Sequence, residues 1–172
     1  VGSTLEDRIL LHGGNDFVDA SSGNDFVKGG RGHDNINGGY GSDKLLGNSG
    51  RDLINGGNDN DRVFGANGRD KLFGEEGNDK LFGGSHNDRL NGGLGNDRLT
   101  GGSGDDVFVV RKGNGRDLIT DYGTGNDRIK LLGGLTESDL TFREVGADVK
   151  IRYEDDLLAI VQNTAADDLT FI

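Results

Sequence analysis

An aspartate stands at every ninth position for twelve consecutive repeats: Asp7, Asp16, Asp25, Asp34, Asp43, Asp52, Asp61, Asp70, Asp79, Asp88, Asp97 and Asp106. Before most of them runs a glycine-dense segment, such as Gly38-Gly39-Tyr40-Gly41-Ser42-Asp43 or Gly92-Gly93-Leu94-Gly95-Asn96-Asp97. Glycine accepts positive φ, so such a segment can bend sharply with its carbonyls turned inward. A carboxylate added to those carbonyls makes an oxygen-only donor set, the chemistry of a hard cation. Calcium takes about six to eight oxygen ligands, more than one carboxylate and one turn supply, so two turns must share each ion.

The elements that would position these oxygens are short strands. Two residues after each Asp comes an apolar side chain, running Ile9, Val18, Val27, Ile36, Leu45, Ile54, Val63, Leu72, Leu81, Leu90, Leu99 and Phe108. The triplets Asp43-Lys44-Leu45 and Asp79-Lys80-Leu81 alternate polar and apolar, as a strand with one buried face does. Turn plus strand makes half a coil. Two halves close a flattened coil of eighteen residues, with like turns stacked about 4.8 Å apart. Asp25, Asp43, Asp61, Asp79 and Asp97 then line one edge, and Asp34, Asp52, Asp70, Asp88 and Asp106 the other. The twelve carboxylates allow at most ten sandwiched pairs. The alternative is that the Asp side chains only cap turns through hydrogen bonds. Against it, a stacked row of like charges with nothing between them destabilises a sheet.

The nonapeptide G-G-x-G-x-D-x-U-x resembles the calcium-binding repeat of RTX proteins, and the match covers about two thirds of the chain. The resemblance implies an all-β fold, a parallel β-roll with two nonapeptides per coil and a C-terminal β-strand cap. It also implies Ca2+ ions held by the Asp side chains and by glycine-segment carbonyls of the second and fourth turn positions. Here those carbonyls include Gly30, Gly32, Gly39, Gly41, Gly57, Gly93, Gly95, Gly102 and Gly104. The first turns lack paired glycines, so sites involving Asp7 and Asp16 are expected to be weakest. Asp59 and His86 replace glycine at the fourth position, where strain is expected.

Composition ties folding to the metal. In residues 1–106 only 23 of 106 are Leu, Ile, Val or Phe, close to the level at which charged chains stay disordered. The net charge is −11 and there is no cysteine, so no disulfide compensates for the thin core. Bound ions would therefore supply much of the folding energy. Extracellular calcium modules bind at ~0.1 to 1 mM, above resting cytosolic levels, which predicts a chain unfolded inside the cell and folded outside. No apolar run reaches membrane-spanning length, and Val1 to Leu11 lacks the features of a signal peptide. The final Ala165-Ala166-Asp167-Asp168-Leu169-Thr170-Phe171-Ile172 resembles the uncleaved C-terminal signals read by type I secretion systems. That implies the secretion apparatus as a partner during export.

Beyond Asp106 the period breaks, with Asp117 and Asp127 at intervals of eleven and ten and no paired glycines. The expected division is a roll over residues 1–113 and a capping β region over 114–172, whose strand-like segments follow Asp117. The stretch Gly115 to Leu135 resembles flanking regions of bacterial hemolysin-type proteins.

Catalytic signatures are not found. His12, His33 and His86 sit in turns, there is no G-x-S-x-G or H-E-x-x-H, and the EF-hand glycine position after Asp59 is Phe64. An enzyme is not expected, and the acidic balance argues against nucleic acid and anionic membranes. Residues eighteen apart also stack Leu46, Phe64 and Phe82 beside Lys44, Arg62, Lys80 and Arg98, against Asn37, Asn55, Phe73 and Asn91 on the opposite face. Either the basic stems cover the rings and offset the Asp rows, or the Phe64/Phe82 face docks a surface glycan or protein partner. The reading is calcium binding that drives extracellular folding of a type I-secreted bacterial protein. The alternatives are a calcium-stiffened cell-surface, adhesive or glycan-binding module, and an accessory domain of a secreted enzyme.

Overall fold

A computed structural model describes residues 4–172. The nonapeptides alternate between two walls. One wall carries, in order, β1 (Arg8–Leu10), β3 (Phe26–Arg31), β5 (Lys44–Ser49), β7 (Arg62–Asn67), β9 (Lys80–Ser85), β11 (Arg98–Ser103) and β13 (Asp117–Ile119). The other carries β2 (Phe17–Asp19), β4 (Asn35–Tyr40), β6 (Leu53–Asn58), β8 (Lys71–Glu76), β10 (Arg89–Leu94), β12 (Val107–Arg111) and β14 (Arg128–Leu132). Neighbours within each wall are parallel and, through the regular repeats, eighteen residues apart, as in Leu45↔Val63, Val63↔Leu81 and Leu81↔Leu99. The chain is the expected all-β parallel roll, with two nonapeptides to a coil.

From β2 to β11 each strand sends one apolar side chain inward, and β12 sends two, Phe108 and Val110. Val27, Leu45, Val63, Leu81, Leu99 and Ile119 form a buried ladder on one wall, opposed by Val18, Ile36, Ile54, Leu72, Leu90, Phe108 and Ile129 on the other. In β5 the next inward position is Gly47, which is buried while Lys44 and Ser49 are exposed. The core is thus one side chain thick per half coil, and glycine beside it leaves room for the turn to close. Gly68 shows why the turn needs glycine. Its φ is +140°, and a methyl group there would strike the Gly50 carbonyl of the preceding coil.

Asp59 and His86 adopt the expected positive φ, 77° and 79°. Asn48, Ala66 and Glu75, at second turn positions, do so as well, at 78°, 80° and 84° for Asn48, Glu75 and Ala66 respectively. Ala66 and Glu75 carry the cost of that conformation without the local side-chain bond that Asn48 makes to the Leu46 carbonyl.

The stacking runs past the break in period. β13 pairs with β11 through Leu99↔Ile119, and β14 pairs with β12 through Phe108↔Ile129. The extra residues loop out between strands, so both walls extend beyond residue 113. The motif that survives there is the short one, Asp-x-apolar, in Asp117-Leu118-Ile119 and Asp127-Arg128-Ile129. A meander of β15 (Leu140–Val145), β16 (Asp148–Tyr153) and β17 (Asp156–Val161) follows, antiparallel within itself, and β17 joins β13 in parallel. It covers the end of one wall.

The final residues close the other wall. Ile129 bridges Phe171, whose ring lies 5.5 Å from that of Phe142. The Tyr122 hydroxyl donates to the Asp127 carbonyl at 2.8 Å and accepts from the Thr170 N–H at 2.9 Å. Tyr122→Phe is expected to cost about 1–2 kcal/mol. It should speed hydrogen exchange at Thr170 and Ile172 while the amides of β7 and β9 keep their protection. Unchanged exchange at the C-terminus would contradict this anchoring.

Candidate metal centre

Every Asp from Asp25 to Asp106 in the two rows sits at the end of a turn, immediately before a strand, with its side chain buried. Asp residues eighteen apart face one another, as the period predicts. The Asp43 Oδ1 accepts the Asp25 backbone N–H at 2.7 Å, and the same bond recurs from Asp43 to Asp61, Asp61 to Asp79 and Asp79 to Asp97 at 2.8 Å. The other row repeats it from Asp34 to Asp52, Asp70, Asp88 and Asp106. Turn capping is therefore real, but it uses one oxygen of each carboxylate.

The second oxygen is orphaned. Oδ2 of Asp25, Asp34, Asp43, Asp52, Asp61, Asp70, Asp79, Asp88, Asp97 and Asp106 is buried with no hydrogen-bond partner. A buried, unpaired carboxylate oxygen costs free energy unless a proton or a cation meets it. Burial accordingly pushes Asp61 and Asp88 up to about 8, Asp79 to about 7 and Asp43 to about 6, opposed by the backbone N–H bond and reinforced by neighbouring Asp charges. Asp52 and Asp106 rise to about 6 for the same first cause, and Asp25, Asp70 and Asp97 are also raised.

The space beside six of these orphans is lined with a backbone carbonyl as well. A methyl group on Gly56 would run into Asp61 Oδ2 and the Gly74 carbonyl, and one on Gly65 into Asp70 Oδ2 and the Gly83 carbonyl. Gly29, Gly38, Gly74 and Gly83 repeat the arrangement. Second- and fourth-position carbonyls also face the next turn: a methyl on Gly57 would meet the Gly39 carbonyl, on Gly50 that of Gly32, and on Gly115 that of Gly95. Among the described residues no three or more of His, Cys, Asp and Glu converge. A cation here would take few carboxylates and draw its remaining ligands from backbone, which fits the oxygen-rich cradles and a hard ion such as calcium.

Three features escaped the sequence reading. First-position carbonyls belong to the cradle, and the signal was present: position one is glycine in all nine turns from Gly29 to Gly101, whereas positions two and four vary. Asp117 and Asp127 continue the two rows, taking the N–H of Asp97 at 3.2 Å and Asp106 at 2.9 Å. Asp127 differs in that its Oδ2 accepts the Gly123 N–H, so the row ends on a satisfied carboxylate. Finally, where the residue before the Asp is Asn, His33 or Asp105, it builds an outer ladder of opposite polarity. Asn60 Oδ1 accepts the Asn78 N–H at 2.7 Å, and Asn78 Oδ1 that of Asn96 at 2.9 Å. His33 fills such a place, its Nδ1 accepting the Arg51 N–H.

On the outer face of the β5–β9 strands the Phe64 and Phe82 rings stack at 4.9 Å, and Lys44 Nζ lies 5.6 Å from the Phe26 ring centre and 6.0 Å from that of Phe64. Of the basic side chains, Lys44 thus lies over Phe26 and Phe64, and Arg8 over Phe26.

A parallel solenoid with two nine-residue units to a coil and buried, half-satisfied carboxylates along both edges defines a class, the parallel β-rolls. The sequence profile of the RTX calcium-binding nonapeptide repeat (4 copies) matches residues 1–36, 12–45, 37–72, 55–85, 64–99 and 82–119, and the chain belongs to that family. Among solved structures, the extracellular lipase LipA from Serratia marcescens is similar over 100% of this chain at 15% identity and a TM-score of 0.48. The chain spans 39% of that lipase chain. The AlgE6R3 subunit of the mannuronan C5-epimerase from Azotobacter vinelandii is similar over 80% of this chain and 78% of its own, at 23% identity and a TM-score of 0.35. No curated protein matches the sequence. Among the described residues no helix is long and apolar enough to cross a membrane.

Proposed function

We propose that calcium ions held between successive turns drive the folding of this chain outside the cell, after its export as part of a type I-secreted bacterial protein. The observation that carries the reading is the row of orphaned, buried Oδ2 atoms at Asp25, Asp34, Asp43, Asp52, Asp61, Asp70, Asp79, Asp88, Asp97 and Asp106. These oxygens hold the ions together with glycine carbonyls of all three turn positions, among them Gly30, Gly32, Gly39, Gly41, Gly57, Gly93, Gly95, Gly102 and Gly104. Asp16, half-buried at the start of its row, is a weaker ligand. A bound ion supplies charge neutralisation and a cross-link between coils that the thin core cannot supply by packing.

Calcium at cytosolic levels leaves the rows charged and the chain unfolded, the state that an export channel accepts. Outside, at ~0.1 to 1 mM, the ions fold it. The final segment, 165–172, is the export signal in this reading. A bacterium carrying a type I exporter and expressing the chain provides the test. Removing 165–172 is expected to abolish export, and the exported chain should resist protease only when the medium contains calcium. Export without that segment, or resistance in chelator, would contradict the proposal.

A further inference from the structure

The two walls of the roll differ in charge. Strands β1, β3, β5, β7, β9 and β11 carry Arg8, Lys28, Arg31, Lys44, Arg62, Lys80 and Arg98, all exposed, and no carboxylate. Strands β2, β4, β6, β8, β10, β12 and β14 carry Lys71, Arg89, Arg111, Arg128 and Lys130, offset in part by Asp19, Glu75 and Glu76. On the first wall the cations are stacked directly upon one another, Lys44 on Arg62, Arg62 on Lys80 and Lys80 on Arg98. Like charges in that register destabilise a sheet. Among the described residues the ion pair within 4.0 Å is Lys112–Glu154, so no carboxylate is paired to the ladder.

Where ionised and metal-free, the Asp rows beside this ladder offset its charge. With calcium they no longer do. Each ion adds two positive charges, so the sixth carries the net charge from −11 past zero, and the exposed wall is left strongly positive. We propose that this wall is a docking surface for a linear acidic polysaccharide, lying along the line of Lys44, Arg62, Lys80 and Arg98 with Arg8, Lys28 and Arg31 flanking it. The inference rests on the calcium-loaded roll proposed above.

Charge selects this partner. The four rungs run straight for about 14 Å at the interstrand spacing, on a flat sheet. Carboxylates or sulfates spaced along an extended sugar chain complement such a line, whereas a nucleic acid groove needs a protruding helix or ribbon to enter it. The aromatic column does not serve as a sugar platform, because Phe64 and Phe82 stack on each other with 6° between their planes and Lys44 lies over Phe64. Binding is therefore ionic, and salt should weaken it steeply.

The test is calorimetric titration, in millimolar calcium, with an oligogalacturonate too short to gel, with circular dichroism on the same samples. The combined variant Arg62→Gln, Lys80→Gln, Arg98→Gln is expected to lose affinity about tenfold or more, while Lys71→Gln, Arg89→Gln, Arg111→Gln, an equal charge change on the other wall, should stay within about threefold. Equal losses from both variants, no binding by a folded wild-type roll, or tighter binding to duplex DNA would overturn the proposal. A wild-type chain that stays unfolded in calcium would instead overturn the folding reading beneath it.

Discussion

Gly74→Ala is expected to destabilise the calcium-loaded roll by about 2–4 kcal/mol and to raise the calcium concentration needed for folding severalfold. The reason is local. Gly74 points inward beside the core, and its added methyl would run into Asp79 Oδ2 and the Gly92 carbonyl, two of the oxygens lining one cradle. Gly74 is not among the glycines with positive φ, so backbone strain does not confuse the result. Ser49→Ala, at an exposed third position, provides the control and should shift the midpoint by less than about 0.5 kcal/mol. Calcium-dependent folding followed by far-UV circular dichroism measures both. An unchanged midpoint for Gly74→Ala would mean that the space beside Asp79 is not a metal seat.

Acid should partly replace the metal. In the folded, metal-free roll Asp61, Asp88 and Asp117 are pushed up to about 8, Asp79 to about 7, and Asp43, Asp52 and Asp106 to about 6, chiefly because burial disfavours their charged form. Their ordinary value is 3.8. Between these limits the folded state holds protons that the unfolded chain has released, so stability falls as pH rises. It is greatest below about 4 and is lost as pH climbs through 6 to 8. In chelator, therefore, β-structure should increase as pH is lowered from 8 towards about 5.5, still above the isoelectric point of about 4.6. Calcium affinity should move oppositely and weaken over the same range, since protons and ions compete for the same oxygens. Circular dichroism in chelator across that range decides the first part. A metal-free chain more structured at pH 8 than at pH 5.5 would reverse the sign and contradict the burial argument.

The nine-residue period made the roll legible. Asp and an apolar side chain two residues apart can both repeat at nine only if each unit is half a coil, and that placed the two Asp rows and the two apolar ladders. What the period hid was everything that tolerates insertion. Asp117 and Asp127 stand 20 and 21 residues from their partners, yet their carboxylates stack in row because the extra residues leave through loops. Backbone donors were harder to place than side chains. Which carbonyl lines a turn depends on φ and ψ at each glycine, and only the unbroken run of glycine at position one marked Gly47, Gly74 and Gly83 as special. The outer ladder of Asn60, Asn78 and Asn96 was visible as recurrence, but its hydrogen-bond polarity depends on coil stacking. Nor did spacing alone distinguish turn capping from metal binding, since each carboxylate gives one oxygen to the first and leaves the other for the second.

That division of the carboxylate makes folding depend on calcium, and a calcium titration followed by far-UV circular dichroism, with magnesium as the control, tests it. Magnesium demands a smaller octahedral site and dehydrates reluctantly, so shared turns built from fixed carbonyls should reject it. The expected result at pH 7.5 is a chain largely unfolded in chelator that passes cooperatively to β-structure near millimolar calcium and does not respond to the same concentration of magnesium. A spectrum already rich in β-structure in chelator would show that the buried Asp rows stand without ions, and the account of folding would be wrong.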